Sequence, residues 1–212
     1  MIISNIDVTN LDQVKSRLGS LKDKAPIAMY RAINDSVAKT KTETKRAISK
    51  RYHIKQKDVK DNIYPFKASK SKLKGAIVTR GEKISLYNFK TKEGKLISAA
   101  VLRENSPKSL EHNPKAFIAT MKNKGKDGSS SEHMGIFERK IPGEQHVKKR
   151  KKMKKGKERA VTKHNVQIRE LKGPAVPQMM GNVETMEVIK AAANETLRKR
   201  LEHYINYFLE NG

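Results

Sequence analysis

Apolar residues in the first third of the chain recur at the three- and four-residue spacing of amphipathic helices. The stripe of a first helix, over residues 11–23, consists of Leu11, Val14, Leu18 and Leu21. Pro26 suits the first turn of a second, longer helix. Its stripe consists of Ile27, Tyr30, Ile33, Val37, Thr44 and Ile48. A third, short helix is predicted over residues 56–63, ending before Pro65.

From residue 75 the pattern changes to short apolar or alternating runs that Gly, Pro, Asn and Ser separate. Such runs are typical of an antiparallel sheet. They cover residues 75–79, 84–89, 96–102, 115–121 and 134–139, with a further short strand over residues 166–171. Residues 122–132, KNKGKDGSSSE, have the composition of a flexible loop or a hairpin tip.

The end of the chain returns to helical spacing, after an extended, turn-rich connector at residues 173–177. A helix is predicted over residues 183–209. Its apolar stripe consists of Met186, Ile189, Ala193, Leu197, Leu201, Tyr204 or Ile205, and Phe208. The predicted fold class is therefore α+β, with N-terminal helices, a central antiparallel sheet carrying a long basic loop or arm, and a long C-terminal helix.

This pattern predicts two parts of unequal size. Residues 1–24 form a short N-terminal helix and linker, and residues 25–212 form one domain. The segments of that domain are basic helices at 25–65, antiparallel strands at 75–140, a basic arm at 141–164, a strand and connector at 165–181, and the C-terminal helix at 182–210.

The chain is strongly basic, with 47 Lys and Arg against 22 Asp and Glu and a formal charge of +25. Such a charge attracts polyanions at long range and opposes self-association at low salt. Nucleic acid, acidic protein surfaces and anionic lipid all fit it. Hydrophobic residues make up 36% and aromatic residues 5%, so part of the chain is expected in extended arms or buried between subunits.

The densest charge lies in residues 148–159, KKRKKMKKGKER, where nine of twelve residues are basic and one is acidic. This run is interpreted either as a phosphate-binding arm or as a solvated or protein-docking loop. The lysine-rich faces of the second helix have the same two interpretations. The candidate contact residues for nucleic acid or an acidic partner are Lys148, Lys149, Arg150, Lys151, Lys152, Lys154, Lys155, Lys157, Arg159, Lys45, Arg46, Lys50 and Arg51.

The sequence contains no constellation typical of an enzyme. Cysteine is absent, and no two of the six histidines have the spacing of a helical metal site. The glycine-rich phosphate loops and the GxSxG motif are also missing. We expect no enzymatic activity, no cofactor, no metal and no membrane span, with a nuclease that uses scattered carboxylates as a remote alternative.

Four segments, taken in order, resemble the prophage minor tail protein Z family of tail-completion proteins. They are YRAINDSVAKTKTETKRAISKRYHIKQKDVKDNI at residues 30–63, AFIATM and GIFER at 116–121 and 135–139, IRELKGPAVPQMMG at 168–181, and LRKRLEHYINYFL at 197–209. The segment at 168–181 is the most specific. The family usually has Ser where Ala175 stands, and the run at 148–159 is longer and more basic than the family pattern.

The resemblance implies a structural tail component of a long-tailed bacteriophage, made in the host bacterial cytoplasm and located in the virion. It implies a ring, six-fold to match the tail tube, at the head-proximal end of the tail where the genome end descends. Its implied partners are other copies of the chain, the tail-tube, tail-terminator and head-connector proteins, and genomic DNA without sequence preference.

A ring subunit is expected to expose apolar surface at its long helices or at residues 173–180, GPAVPQMM. The candidate subunit-interface residues are Gly173, Pro174, Val176, Pro177, Met179, Met180, Leu201 and Phe208. The alternative hypothesis is a free basic nucleic-acid-binding or packaging accessory protein, which would not show such a surface.

Overall fold

The computed structural model describes residues 2–7, 11–94, 96–106, 108–110, 116–124, 130–139 and 168–211. Its helices are α1 (Leu11–Leu18), α2 (Ala25–Arg51), α3 (Gln56–Val59), α4 (Val176–Met180) and α5 (Val183–Asn211), with 3₁₀ turns at Gly19–Lys24, Lys60–Asn62 and Leu86–Asn88. Its strands are β1 (Ile2–Asp7), β2 (Ile63–Phe66), β3 (Lys74–Thr79), β4 (Lys83–Ser85), β5 (Lys90–Lys92), β6 (Ser98–Ala100), β7 (Lys108–Ser109), β8 (Phe117–Lys124), β9 (Ser130–Arg139), β10 (Ile168–Glu170) and β11 (Lys172–Ala175). The predicted α+β fold class is confirmed, because long helices near both ends of the chain flank small antiparallel sheets.

Contacts within the chain divide it into two compact units that interleave in sequence. Unit 1 comprises Met1–Ile84, Leu102–Glu104 and Pro174–Gly212, and unit 2 comprises Ser85–Val101 and Asn105–Gly173. Helix α1 packs against α2 and α5 within unit 1, where Val14 and Leu18 are buried beside Ala25, Met29 and Ile205. The domain boundary predicted after residue 24 stays a prediction.

Unit 1 is built on the packing of α2 against α5. The two helices run antiparallel. Asp35, in the first half of α2, contacts Tyr204 in the last part of α5, whereas Arg51 at the end of α2 contacts Glu184 at the start of α5. Buried small residues recur every four positions along α2, namely Ala28, Ala32, Ser36, Thr40 and Thr44. Small side chains in such a row let two helices approach closely, and the Ser36 hydroxyl donates to the Ala193 carbonyl at 2.9 Å.

A three-stranded antiparallel sheet, with β3 between β1 and β2, packs on α2. Gly75 in β3 lies against the helix, since a Cβ atom there would lie 2.6 Å from Val37 Cγ2. The sequence pattern predicted β3 but neither β1 nor β2. The prediction of a third helix up to residue 63 was wrong at its end. That helix stops at Val59 before a 3₁₀ turn, and Ile63 pairs with Thr79 of β3 instead.

Unit 2 contains two small antiparallel sheets, with strand orders β10-β9-β8 and β5-β6-β7. Strands β8 and β9 form a hairpin in which Phe117 pairs with Phe137, with ring centroids 6.2 Å apart. The hairpin extends into the loop predicted at residues 122–132, leaving residues 125–129, which lie outside the described residues. The run predicted as a strand over residues 84–89 is β4 followed by a 3₁₀ turn.

The connector predicted at residues 173–177 is extended only at its start. Strand β11 ends at Ala175, and α4 follows with Pro177 in its first turn, a position at which the missing amide hydrogen costs nothing. The Gln178 side chain accepts a hydrogen bond from the Ala175 amide at 2.9 Å. This turn directs the two following methionines into unit 1, where both are fully buried.

Candidate nucleic-acid interface

The candidate contact residues fall into two groups. Nine of them lie within residues 148–159, which are outside the part of the chain that the structure describes, so their role stays a prediction. The other four, Lys45, Arg46, Lys50 and Arg51, lie on the C-terminal half of α2. Unit 1, which contains these four, has 25 basic and 14 acidic residues, a net charge of +11. Unit 1 is therefore strongly basic without the arm.

Arg51 is held inside unit 1. Its guanidinium forms ion pairs with Glu184 of α5 and with Glu104, and its side chain is only 17% exposed. Arg103 binds the same end of the helix, with Nε donating to the Ser49 carbonyl at 2.8 Å. Carbonyls at a helix C-terminus lack helical partners and carry partial negative charge, so the two arginines stabilise the end of α2. A phosphate would have to displace two carboxylates to bind Arg51.

The other three basic residues of α2 are more accessible. Arg46 shares Glu43 with Lys39, at N–O distances of 2.8 Å and 3.5 Å, and surface pairs of this kind contribute little stability. Lys50 is exposed and Lys45 is half-buried, and neither forms an ion pair with a residue that the structure describes. The α2 positions that can meet a phosphate are therefore Lys45 and Lys50, and Arg46 after it exchanges Glu43.

One basic stretch is not among the contact residues that the sequence pattern predicts. Residues 62–81 contain five basic residues and no acidic one, and four of the five lie in or next to the loop that joins β2 to β3. The signal in the sequence was the long interval without a carboxylate. That interval is less conspicuous than the charge at residues 148–159, and its position on a hairpin depends on strand pairing that the sequence pattern did not predict.

The residues predicted at a subunit interface lie mostly inside the chain. Four of them are buried in unit 1, where α4 packs against α2, α5 and β3: Val176, Pro177, Met179 and Met180. Leu201 and Phe208 of α5 are half-buried against the cluster shared with α1 and α2. Pro174 is half-buried. In unit 2, Gly173 lies against Phe89, since a Cβ atom on the glycine would lie 2.6 Å from Phe89 Cε2.

Helix α5 carries exposed apolar side chains at other positions. These are Val183 (70% exposed), Val188 (56%), Tyr207 (47%) and Leu209 (52%). Two lie near the start of the helix and two near its end, and about 28 Å along the helix axis separates Val188 from Tyr207 at the helical rise per residue. Helix α5 thus exposes single apolar side chains, whereas Val176, Pro177, Met179 and Met180 of the GPAVPQMM segment are buried. The interface between copies stays a prediction.

No family model, curated protein or solved structure matched the chain. The likeness to the minor tail protein Z family therefore stays a resemblance of four sequence segments. In the structure these segments form α2 with α3, the facing strands of the β8–β9 hairpin, the run from β10 to α4, and the C-terminal half of α5.

Unit 2 holds a pair of a carboxylate and a histidine, in which His133 Nε2 lies 2.5 Å from Glu170 Oε1. Burial raises the pKa of Glu170. The nearby hydroxyl of Ser85, the hydrogen bond to His133 and the positive charges of His133 and Lys172 together outweigh burial and lower that pKa. A general acid needs a raised pKa, so this carboxyl is suited to an ion pair. The described residues contain no group of three or more His, Asp or Glu that could hold a metal. No described helix is long and apolar enough to cross a membrane.

Proposed function

We propose that the chain is a structural, non-enzymatic tail-completion protein of a long-tailed bacteriophage, which acts in the virion at the head-proximal end of the tail. The observation that carries the proposal is the resemblance of residues 168–181, IRELKGPAVPQMMG, to the signature of the minor tail protein Z family. The fold supports it, because three of the four resembling segments pack together as α2, α4 and α5 in unit 1.

In this proposal, copies of the chain form a ring with the six-fold symmetry of the tail tube. A closed ring joins two different surfaces of each subunit. The exposed apolar side chains of Val183, Val188 and Leu209 on α5 are the contacts that we assign to these surfaces, because packing between copies would bury them. The tail-tube, tail-terminator and head-connector proteins are the proposed neighbours.

The charge of +25 bears on how such a ring assembles, because like-charged copies repel unless an anion offsets their charge. Phosphates of the genome end or acidic surfaces of neighbouring tail proteins supply that offset at the proposed location. Lys45 and Lys50 of α2 and the arm at residues 148–159 are the proposed contacts. Binding of this kind is electrostatic and independent of base sequence.

Mass spectrometry of gradient-purified particles tests the tail location directly. We expect a few copies of the chain per particle, in a ratio to the tail-tube protein that corresponds to one ring. The soluble fraction of the same lysate serves as the control, in which unassembled chain is quantified. Absence from the particles combined with abundance in the soluble fraction would refute the proposal.

A free nucleic-acid-binding or packaging accessory protein is the second candidate. The burial of Val176, Pro177, Met179 and Met180 within unit 1 favours it, because a self-contained module leaves no such segment exposed. Chain that copurifies with nucleic acid in the soluble fraction and is missing from particles would support this candidate.

A further inference from the structure

The hairpin formed by β2 and β3, residues 63–79, presents four exposed lysines; we call it the lysine hairpin. Its exposed lysines are Lys67, Lys70, Lys72 and Lys74. Lys74 lies opposite Asp7 of β1 in the strand register. Lys67, Lys70 and Lys72 form no ion pair with a residue that the structure describes, and residues 62–81 contain no acidic residue. The loop of the hairpin therefore concentrates the positive charge of three lysines.

Two aromatic side chains stand next to these lysines. Tyr64 and Phe66 are 44% and 50% exposed, and their two-residue spacing puts them on one side of β2, about 7 Å apart. The strand register pairs Tyr64 with Val78 and Phe66 with Ala76. Since Gly75 faces α2, the alternation of side chains places both rings on the opposite face of the sheet.

The loop between the strands is anchored to the rest of unit 1. Asn34 of α2 accepts a hydrogen bond from the Ala68 amide at 2.8 Å and donates one to the Ala68 carbonyl at 3.2 Å. Leu73 packs against the apolar cluster of α1, α2 and α5. Between these anchors Ser69 and Lys72 exchange backbone hydrogen bonds of 2.9 Å and 3.2 Å. The lysines thus extend from a defined backbone, which lowers the entropic cost of binding.

We propose that the lysine hairpin binds single-stranded nucleic acid, with its lysines neutralising phosphates and with Tyr64 and Phe66 stacking on bases. Exposed rings beside unpaired cations are the combination that sequence-independent binding of single strands uses. A duplex presents its phosphates but keeps its bases stacked inside, so it would leave the two rings without a role. This binding does not require the tail ring proposed above.

An acidic peptide fits the same surface less well. An extended peptide gains most of its affinity by adding a strand to an exposed sheet edge, and β2 is an edge strand of its sheet. Pro65, in the middle of β2, lacks the amide hydrogen that such pairing needs. The backbone of β2 is therefore a poor template, whereas its two rings are available to bases.

Fluorescence anisotropy of the full chain tests this surface. The probes are a labelled oligothymidylate of about 12 nucleotides, within the site sizes of such surfaces, and a duplex of similar length. The arm at residues 148–159 contributes to both affinities, so the ratio of single-strand to duplex affinity isolates the hairpin. Tyr64→Ser with Phe66→Ser is expected to lower single-strand affinity roughly 5-fold or more and to leave duplex affinity unchanged.

A second variant controls for misfolding of the serine variant. Tyr64→Leu with Phe66→Leu keeps apolar volume on β2 but removes the π faces, so it should lose single-strand affinity like the serine variant. Circular dichroism shows whether each variant is folded. The matched control is Tyr207→Ser, which removes a similarly exposed ring from α5 of the same unit and should leave both affinities unchanged.

The lysines are tested with equal changes of charge. Lys70→Gln with Lys72→Gln should weaken single-strand binding more than Lys15→Gln with Lys190→Gln, which removes two exposed charges elsewhere in unit 1. Wild-type single-strand affinity in the folded serine or leucine variant would overturn the proposal, as would an equal loss in the Tyr207 control. Binding to vesicles of phosphatidylserine and phosphatidylcholine that the Tyr64 and Phe66 substitutions weaken, while they leave single-strand affinity unchanged, would assign the surface to lipid headgroups. That result would also overturn the proposal.

Discussion

Gly75 brings β3 against α2 because it has no side chain. A Cβ atom there would lie 2.6 Å from Val37 Cγ2, too close for two carbon atoms, so the strand or the helix would have to move. Gly75→Ala is expected to lower the free energy of unfolding by about 1–3 kcal/mol, as overpacking does. Urea denaturation measures this loss of unfolding free energy. Gly94→Ala is the control, since its nearest neighbour would lie 3.6 Å away, and an equal loss in both variants would contradict this packing.

Glu170 gives unit 2 a stability that depends on pH. Although burial acts in the other direction, the side chains of Ser85, His133 and Lys172 together hold the pKa of Glu170 below its ordinary value of 4.5 in the folded chain. A lowered pKa means that the folded state binds this proton less tightly than the unfolded state. The stability contribution is therefore complete above about pH 4.5 and is lost as the pH falls through the folded pKa.

Glu170→Gln tests that contribution. The variant should unfold at a lower temperature than the wild type near neutral pH, and the difference should shrink as the pH falls below the ordinary pKa of the carboxyl. Thermal unfolding followed by circular dichroism provides the measurement. Glu132→Gln, which removes an exposed partner of Lys122, serves as the control with little expected effect. A difference that is constant with pH would show that the ion pair is not its source.

The C-terminal end of α2 places two adjacent basic residues in different roles. Arg51→Gln removes the ion pairs with Glu184 and Glu104 and is expected to lower the free energy of unfolding by on the order of 1 kcal/mol, a modest value because both carboxylates are exposed to screening solvent. Lys50→Gln should leave stability unchanged and weaken DNA binding more than Arg51→Gln does. Urea denaturation and anisotropy titration separate the two effects. Equal loss of stability in both variants would contradict these assignments.

The elements also differ in how far the sequence could predict them. Helices α2 and α5 are 27 and 29 residues long, so their apolar stripes repeat through many turns, and the predicted helices agree with them closely. The strand β2 and the helix α4 are only four and five residues long. Elements of that length contain too few positions for a periodicity to be recognised, and pairing and packing determine them instead.

For the whole molecule, the arm at residues 148–159 adds charge to a chain that is already basic elsewhere. Replacing the lysines within residues 148–157 by serine is expected to leave the unfolding temperature unchanged, because a run of like charges has almost no apolar side chain to contribute to a core. Duplex affinity should fall, and the slope of log affinity against log salt should become shallower by about 0.9 for each phosphate that the variant no longer neutralises. Loss of the folded protein would show that this segment belongs to the fold.

The α+β class, the two long helices and the basic character were all readable from the order of the amino acids, because helical periodicity and net charge are local or additive properties. The burial of the GPAVPQMM segment within its own chain could not be predicted from the sequence. Its composition indicates that its apolar side chains are expected to be buried. It does not indicate whether they pack against the same chain or against another copy. The packing of α4 against α2, α5 and β3 decides that for Val176, Pro177, Met179 and Met180.

Partners that lie far apart in the chain account for the remaining differences. Arg51 is a candidate phosphate contact in the sequence, and it becomes a fixed ion-pair partner only because Glu184, 133 positions away, lies beside it. Ile63 extends a predicted helix in the sequence and starts a strand in the fold, because β3 offers it a backbone partner. The spacing of residues along the chain does not show which distant residues lie close together in space. Close packing between elements determines these contacts, and packing is what separates the residues available to a ligand from those that hold the protein together.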